Sequence, residues 1–236
     1  DLHLCDRRQR QMCIRDRIDT IELCGDRVPF GTDLLFESAG VVVGVELCED
    51  LWVPIPPSSY LVQQGADIIV NLSATNELIG KHSYLLSLVR QQSARCVAGY
   101  VYASAGFGES STDLVFAGNG LVVENGSILA ESKRFSSTPQ LVVSEIDVER
   151  LRTERRVMTS FAKGAWAHGR DARFIPFVLN DIPLRLTRKV GAFPFVPSDS
   201  LVLNERCAEI LDMQSSGLAK RLVHTPVSYT TSPSPR

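Results

Sequence analysis

Several things are scarce in this 236-residue chain, and each scarcity removes a class of protein. Its six cysteines form no CxxC pair and it has only four histidines, which supports neither a zinc site nor a small disulfide scaffold. No apolar run approaches the roughly 20 residues that a membrane helix needs. A formal net charge of −2 gives no general attraction to nucleic acid or anionic lipid. The first residues are charged where a secretory signal would carry its apolar segment. No internal repeat is visible. The expectation is a cytoplasmic protein in a reducing compartment, without nucleic-acid or membrane partners. A hydrophobic content of 44% and a charged content of 22% are those of an ordinary globular protein. The length suits one large domain, or one domain and part of another.

Within that ordinary composition one stretch stands apart. Val41-Val42-Val43-Gly44-Val45-Glu46-Leu47 reads as a short strand buried on both faces, and it ends in Cys48-Glu49-Asp50-Leu51-Trp52. Ligand sites of open α/β sheets lie beyond the carboxyl ends of such strands, which is where Cys48 falls. Two readings of Cys48 stand side by side: a nucleophilic thiol, or a small buried hydrophobe. Glu46 shares the Cys48 face of a regular strand, either tuning the thiol or serving as a structural hydrogen-bond acceptor. Trp52 reads as core or pocket wall.

The remaining pattern is mixed α/β. Asp33 to Glu37 reads as a strand, and Trp52 to Pro57 as a proline-rich turn. Ser58 is placed to cap a short helix running through Gln64, with Gly65 as its stop. Ala66 to Leu72 is a second buried strand, and strand–helix–strand within about 30 residues makes the two strands parallel. Lys81 to Cys96 has helical spacing, with Tyr84, Leu85, Leu88 and Val89 on one side. Val97 to Ser104 is a third core strand. Short strands at Leu114–Ala117, Leu121–Glu124 and Ser127–Glu131, split by Gly-Asn-Gly and Glu-Asn-Gly, read as an antiparallel meander. Gln140 to Ile146 reads as a further strand, and Asp147 as the cap of a basic helix over Val148 to Arg156.

The chain divides accordingly. Residues 1–17, with five Arg, three Asp and two Cys, are expected to be a non-native or disordered start. Residues 18–160 form the main domain, 161–196 a linker, and 197–223 the start of another unit with an amphipathic helix over Leu203 to Leu222. Residues 224–236, rich in Ser, Thr and Pro, are expected to be a disordered or non-native tail.

Taken in order, VPFGTDLLFE, GVELCEDLW, GADIIVNLSAT, SARCVAGYVYASAGFGESSTDLVFAGNG, ENGSILAESKRF and IDVERLRTERR resemble the nitrilase-type glutaminase domain of glutamine-dependent NAD+ synthetases. The later PFVPSD and ERCAEILDMQSSGLAKRL resemble the beginning of that family's ATP-using domain, a block that a plain nitrilase lacks. The resemblance implies a four-layer α-β-β-α sandwich with mixed sheets. It implies glutamine hydrolysis, with the ammonia used to convert deamido-NAD+ to NAD+ at the expense of ATP. No cofactor is implied within this chain. ATP and Mg2+ are expected in the synthetase domain, and homo-oligomers in the full-length protein.

The resemblance also assigns roles. Cys48 matches the nucleophile, and the Glu49 backbone N–H follows it as an oxyanion donor. Thr75 and Lys81 match the two glutamine-contacting positions, Lys81 as a point charge for the substrate carboxylate. The family's general-base Glu and its partner Lys belong upstream of VPFGTDLLFE. Nothing in residues 1–26 matches either, Glu22 stands in the wrong context, and no lysine precedes Lys81. The phosphate-binding Ser-Gly-Gly-x-Asp-Ser loop does not follow GLAKRL. The chain therefore reads as an interior piece of such an enzyme with little glutaminase activity of its own. The rival readings are a stand-alone nitrilase-type amidase and an inactive scaffold.

Overall fold

Side chains along the valine run alternate between a packed and an open face, and the sheet is built outward from that alternation. The computed structural model describes residues 19–110, 112–164, 172–179, 186–188, 193, 196–197 and 199–225. The arm over residues 1–17, much of the stretch read as a linker and all but the start of the tail lie outside them. The chain separates into two units, residues 1–186 and 187–236.

In the first unit, β1 (Thr20–Leu23) and β2 (Asp26–Pro29) make a separate hairpin. Then come β3 (Leu34–Ser38), β4 (Val41–Leu47), α1 (Pro57–Gln63), β5 (Ile68–Ser73), α2 (Lys81–Cys96) and β6 (Gly99–Ser104). They are followed by β7 (Gly120–Glu124), β8 (Ser127–Glu131), α3 (Val148–Val157), α4 (Thr159–Gly164) and β9 (Arg173–Pro176). Seven strands form one sheet in the order β8-β7-β6-β5-β4-β3-β9. As the helical crossovers require, β4, β5 and β6 are mutually parallel, whereas β3 with β4, β6 with β7 and β7 with β8 pair antiparallel. The second unit contains α5 (Ser200–His224), whose first turn is capped by the Asp199 carboxylate accepting from the Leu201 N–H at 2.8 Å.

One face of the sheet packs on α1 and α2. Leu61, Val62, Leu85 and Val89 of the helices meet Ile69, Tyr100 and Val123 of the strands, all 4% exposed or less. Each such side chain contributes roughly 1.5–3 kcal/mol by leaving water. Gly44 lets α1 approach, because a Cβ there would lie 3.0 Å from Ile69 Cδ1 and 3.2 Å from Leu61 Cβ. The other face is apolar and more open: Val45, Leu47 and Leu72 are 40%, 52% and 54% exposed. The described residues thus supply a mixed sheet with helices on one face, one α–β half of a sandwich.

Four local expectations change. Leu114–Ala117 is not a strand, because its backbone is claimed by neighbouring loops. The Val115 carbonyl accepts from Glu77 N–H at 2.7 Å and that of Ala117 from Phe135 N–H at 2.8 Å. Gln140–Ile146 is not a strand either. Val142 and Ile146 instead lie across the open face against Gly120 and Gly99, with Leu141 and Val143 exposed. Ser58 is not the cap of α1, which starts with Pro56 as cap and Pro57 at its first position. The third core strand starts at Gly99, because Val97, at φ +47°, ends α2 in the left-handed region. The β1–β2 hairpin, α4 and β9 were not expected at all; β9 adds to β3 in parallel from within the stretch read as linker.

Candidate active site

At Leu47 the ladder stops and the chain tightens into a 3-10 turn over Cys48–Trp52. Asp50 closes it, its carboxylate accepting from the Leu47 N–H at 2.8 Å. Cys48 is thereby held at φ +47°, a conformation that non-glycine residues seldom adopt. Glu49 follows within the turn, its side chain exposed. The thiol is half-buried, and the Ser73 hydroxyl donates to Sγ at 3.5 Å.

Beneath the thiol lies a buried polar network. Glu46, 2% exposed, accepts from the Ser58 N–H at 2.8 Å and from the Tyr100 hydroxyl. The amide of Asn71 donates to the same hydroxyl at 3.2 Å. Glu46 therefore serves as a structural acceptor linking the sheet to the start of α1, and desolvation together with its charge drives the Tyr100 phenol pKa far upward. Gln92 spans from the Ser58 and Ser59 hydroxyls, each at 2.9 Å, to Cys96 Sγ at 3.3 Å. Burial, with Glu46 nearby, pushes the Cys96 thiol up to about 11, so this cysteine is a protonated core residue. Cys96 is thus buried in the core, whereas Cys48 is half-buried at the strand end.

Thr75 and Lys81 are brought together. The Lys81 ammonium, at the start of α2, donates to Thr75 Oγ1 and to the Asn76 carbonyl, both at 2.7 Å. It also sits 5.4 Å from the ring centroid of Trp52, which in turn meets the Tyr84 ring at 5.6 Å, tilted by 41°. Since Trp52 ends the turn that begins with Cys48, the chain links the lysine cluster to the thiol within five residues. Sequence reasoning passed over Asp50, Ser73, Glu77 and Tyr102. Glu77 is held by Asn119 Nδ2 at 3.2 Å and by Arg134 at 3.2 Å. Burial, chiefly, raises the Tyr102 phenol pKa, with Cys48 and Glu77 adding to the effect. The available signal was position: Ser73 closes the NLS strand end, two residues before Thr75.

Among the described residues, no group of three or more His, Cys, Asp or Glu side chains is placed to hold a metal ion. Nor is any helix among them long and apolar enough to cross a membrane.

Comparison with known proteins places this geometry. The family described as carbon-nitrogen hydrolase matches residues 3–156. The chain is 43% identical over 224 residues to the glutamine-dependent NAD(+) synthetase of Mycobacterium tuberculosis (strain H37Rv), covering 91% of this chain and 33% of the relative. It is 29% identical to that of Saccharomyces cerevisiae over 167 residues, 70% of this chain and 22% of the relative. The solved structure of a glutamine-dependent NAD(+) synthetase from Cytophaga hutchinsonii matches with TM-score 0.46 at 26% identity, over 55% of this chain and 20% of that one. The chain spans about a third of the length of the curated relatives it matches first, 33% for the mycobacterial one. With its mixed sheet, its helical layer and a cysteine at the carboxyl end of a central strand, the chain belongs to the carbon-nitrogen hydrolase family.

Proposed function

We propose that this chain is the glutamine-hydrolysing part of a glutamine-dependent NAD+ synthetase, with Cys48 as its nucleophile. The observation that carries the reading is Cys48 itself, lifted off the carboxyl end of β4 at positive φ, with a hydroxyl donor on its sulfur. Identity to synthetases whose names state the glutamine dependence supports it.

In this mechanism the Cys48 thiolate adds to the carboxamide carbon of glutamine, and the carbonyl oxygen becomes an oxyanion. The Glu49 backbone N–H, next after the nucleophile, donates to that oxyanion; one such donor typically contributes about 10²–10³ in rate. Collapse with protonation of the nitrogen expels ammonia and leaves a thioester on Cys48. Water then hydrolyses the thioester to glutamate and restores the thiol. Lys81 and Thr75 bind the amino-acid end of glutamine. An ammonium carries three donors and two are committed to Thr75 and Asn76, which leaves one to meet a carboxylate. Trp52 forms the wall of the pocket.

In the whole protein the ammonia passes to an ATP- and Mg2+-using part. There it displaces adenylate from activated deamido-NAD+, giving NAD+. Cytoplasmic location and homo-oligomeric assembly complete the proposal. The test uses the full-length protein: Cys48→Ala abolishes NAD+ formation from glutamine and leaves formation from free ammonia intact. Glutamine-dependent activity persisting in that variant would sink the assignment.

A further inference from the structure

The carboxyl ends of β4, β5 and β6 carry a row of side chains that none of the three strands reveals alone. Leu47 pairs with Leu72 and Leu72 with Ala103, and one residue further on Ser73 pairs with Ser104. Cys48 directly follows Leu47, so it comes to the same row. By alternation these side chains belong to the face that carries Glu46, Asn71 and Tyr102, all buried against the helices. The 3-10 turn removes Cys48 from the ladder, and the Ser73 hydroxyl spans the gap to Sγ at 3.5 Å.

A serine hydroxyl has a single proton and two lone pairs. Here the proton goes to sulfur, leaving the lone pairs to accept. Behind Ser73 stands Tyr102, 1% exposed, whose hydroxyl lies near Ser73 and Ser104 without a well-formed hydrogen bond to either. Burial raises the pKa of that phenol, and the one well-formed hydrogen bond of the Ser73 hydroxyl is the one it donates to sulfur. A thiolate accepts a hydrogen bond far better than a thiol, so a donor fixed on Sγ favours the ionised form.

We infer that Ser73 is a positioning residue for Cys48: its hydroxyl donates to Sγ, fixes the sulfur at the strand end and stabilises the thiolate. The inference rests on Cys48 being the nucleophile and adds to that reading the group that poises it.

The test follows alkylation of Cys48 by iodoacetamide in the full-length protein. The Cys48 peptide is quantified by mass spectrometry across the thiol titration range. In Ser73→Ala the midpoint rises by about one pH unit. Below the midpoint the thiolate fraction falls about tenfold, but the more basic thiolate is about threefold more nucleophilic, so the rate falls about threefold. Above both midpoints the variant reacts about threefold faster, so the two profiles cross. The isosteric pair Ser73→Thr and Ser73→Val repeats the comparison at constant shape, and serves where the alanine variant does not fold. Threonine follows the wild type and valine follows alanine. Superimposable profiles, a rate lowered by one factor at every pH, or threonine behaving as valine would each overturn the inference. The nucleophile assignment fails on a different result, glutamine-dependent synthesis surviving Cys48→Ala, so the two failures are distinguishable.

Discussion

The two ends of the parallel strands β4, β5 and β6 are finished in opposite ways. At the amino ends, Asp67 accepts from the Val42 N–H at 3.0 Å and from Arg152 at 2.9 and 2.6 Å, with Arg155 a further 3.8 Å away. Arg152 also reaches the Gly40 carbonyl, and Arg155 donates to that of Val97 at 2.9 Å. Next along the sheet, Glu124 accepts the Asp147 N–H at 2.7 Å. Helix α3 is thus a clip that ties together the starts of three strands and the end of a fourth. At the carboxyl ends the corresponding residues are Cys48 at positive φ, a long O–H···S contact, and the buried Tyr102 and Ser104 hydroxyls without hydrogen-bond partners. A carboxylate held by two arginines secures one end; positive φ occurs at both, at Val97 and at Cys48, but the buried hydroxyls without partners lie at the other. Unused buried hydroxyls of this kind gather where chemistry is done, because the surrounding structure must hold them in place.

That contrast predicts that chemistry and stability separate by end. Cys48→Ala is expected to lower glutamine-dependent synthesis by about 10⁴-fold or more in the full-length protein. Its urea unfolding curve is expected to move by no more than about 0.5 kcal/mol. A large stability loss in that variant would erase the distinction. Asp67→Asn reverses the pattern, leaving two arginines without their carboxylate and costing about 3 kcal/mol in urea unfolding. The solvent exposure of Arg152, 34% at its side chain, places this at the low end for a broken buried pair. An unchanged unfolding midpoint would show that α3 is not a clip.

Smaller effects sharpen the same comparison. Lys81→Met, losing a charged hydrogen bond to substrate, is expected to raise the KM for glutamine about 30-fold with ammonia-dependent activity unchanged. Equal losses with both nitrogen sources would move Lys81 from substrate binding to the fold. The remaining effect, confined to alkaline pH, concerns Cys96, whose thiol is raised from 9.0 to about 11 by burial. The folded state keeps this proton where the unfolded state releases it. Its contribution is therefore complete below pH 9.0 and is lost as pH rises through about 11. The shift corresponds to about 2–3 kcal/mol, and Cys96→Val is expected to flatten that limb of a stability–pH curve. An unaltered limb would assign the alkaline loss to other groups, Tyr100 first among them.

The central strands and the two crossover helices were legible because their signals are local. A valine run, a proline at the start of a helix and 3,4 spacing from Tyr84 to Val89 are each read within a few residues. Gln140–Ile146 shows the limit of such reading. Its apolar residues suit a strand, but Val142 and Ile146 are covered by lying across the sheet and not by pairing within it. In Leu114–Ala117 the apolar run was equally real, and the hydrogen-bond partners lay in other loops. Ser58 looked like a cap because serine suits that position; its N–H is instead bonded to a carboxylate twelve residues away in sequence.

The sequence by itself determined that a cysteine would stand at the carboxyl end of a buried parallel strand. Strand direction and the need for a helical crossover follow from chain order alone. It also placed Thr75 and Lys81 close enough along the chain to meet. Only the tertiary structure decided which cysteine is buried and inert, which hydroxyl meets the thiol, and what closes the far end. Ser73 and Cys48 are 25 residues apart, and Arg152 and Asp67 are 85. Such contacts depend on strand register and helix docking, which no local window of sequence contains.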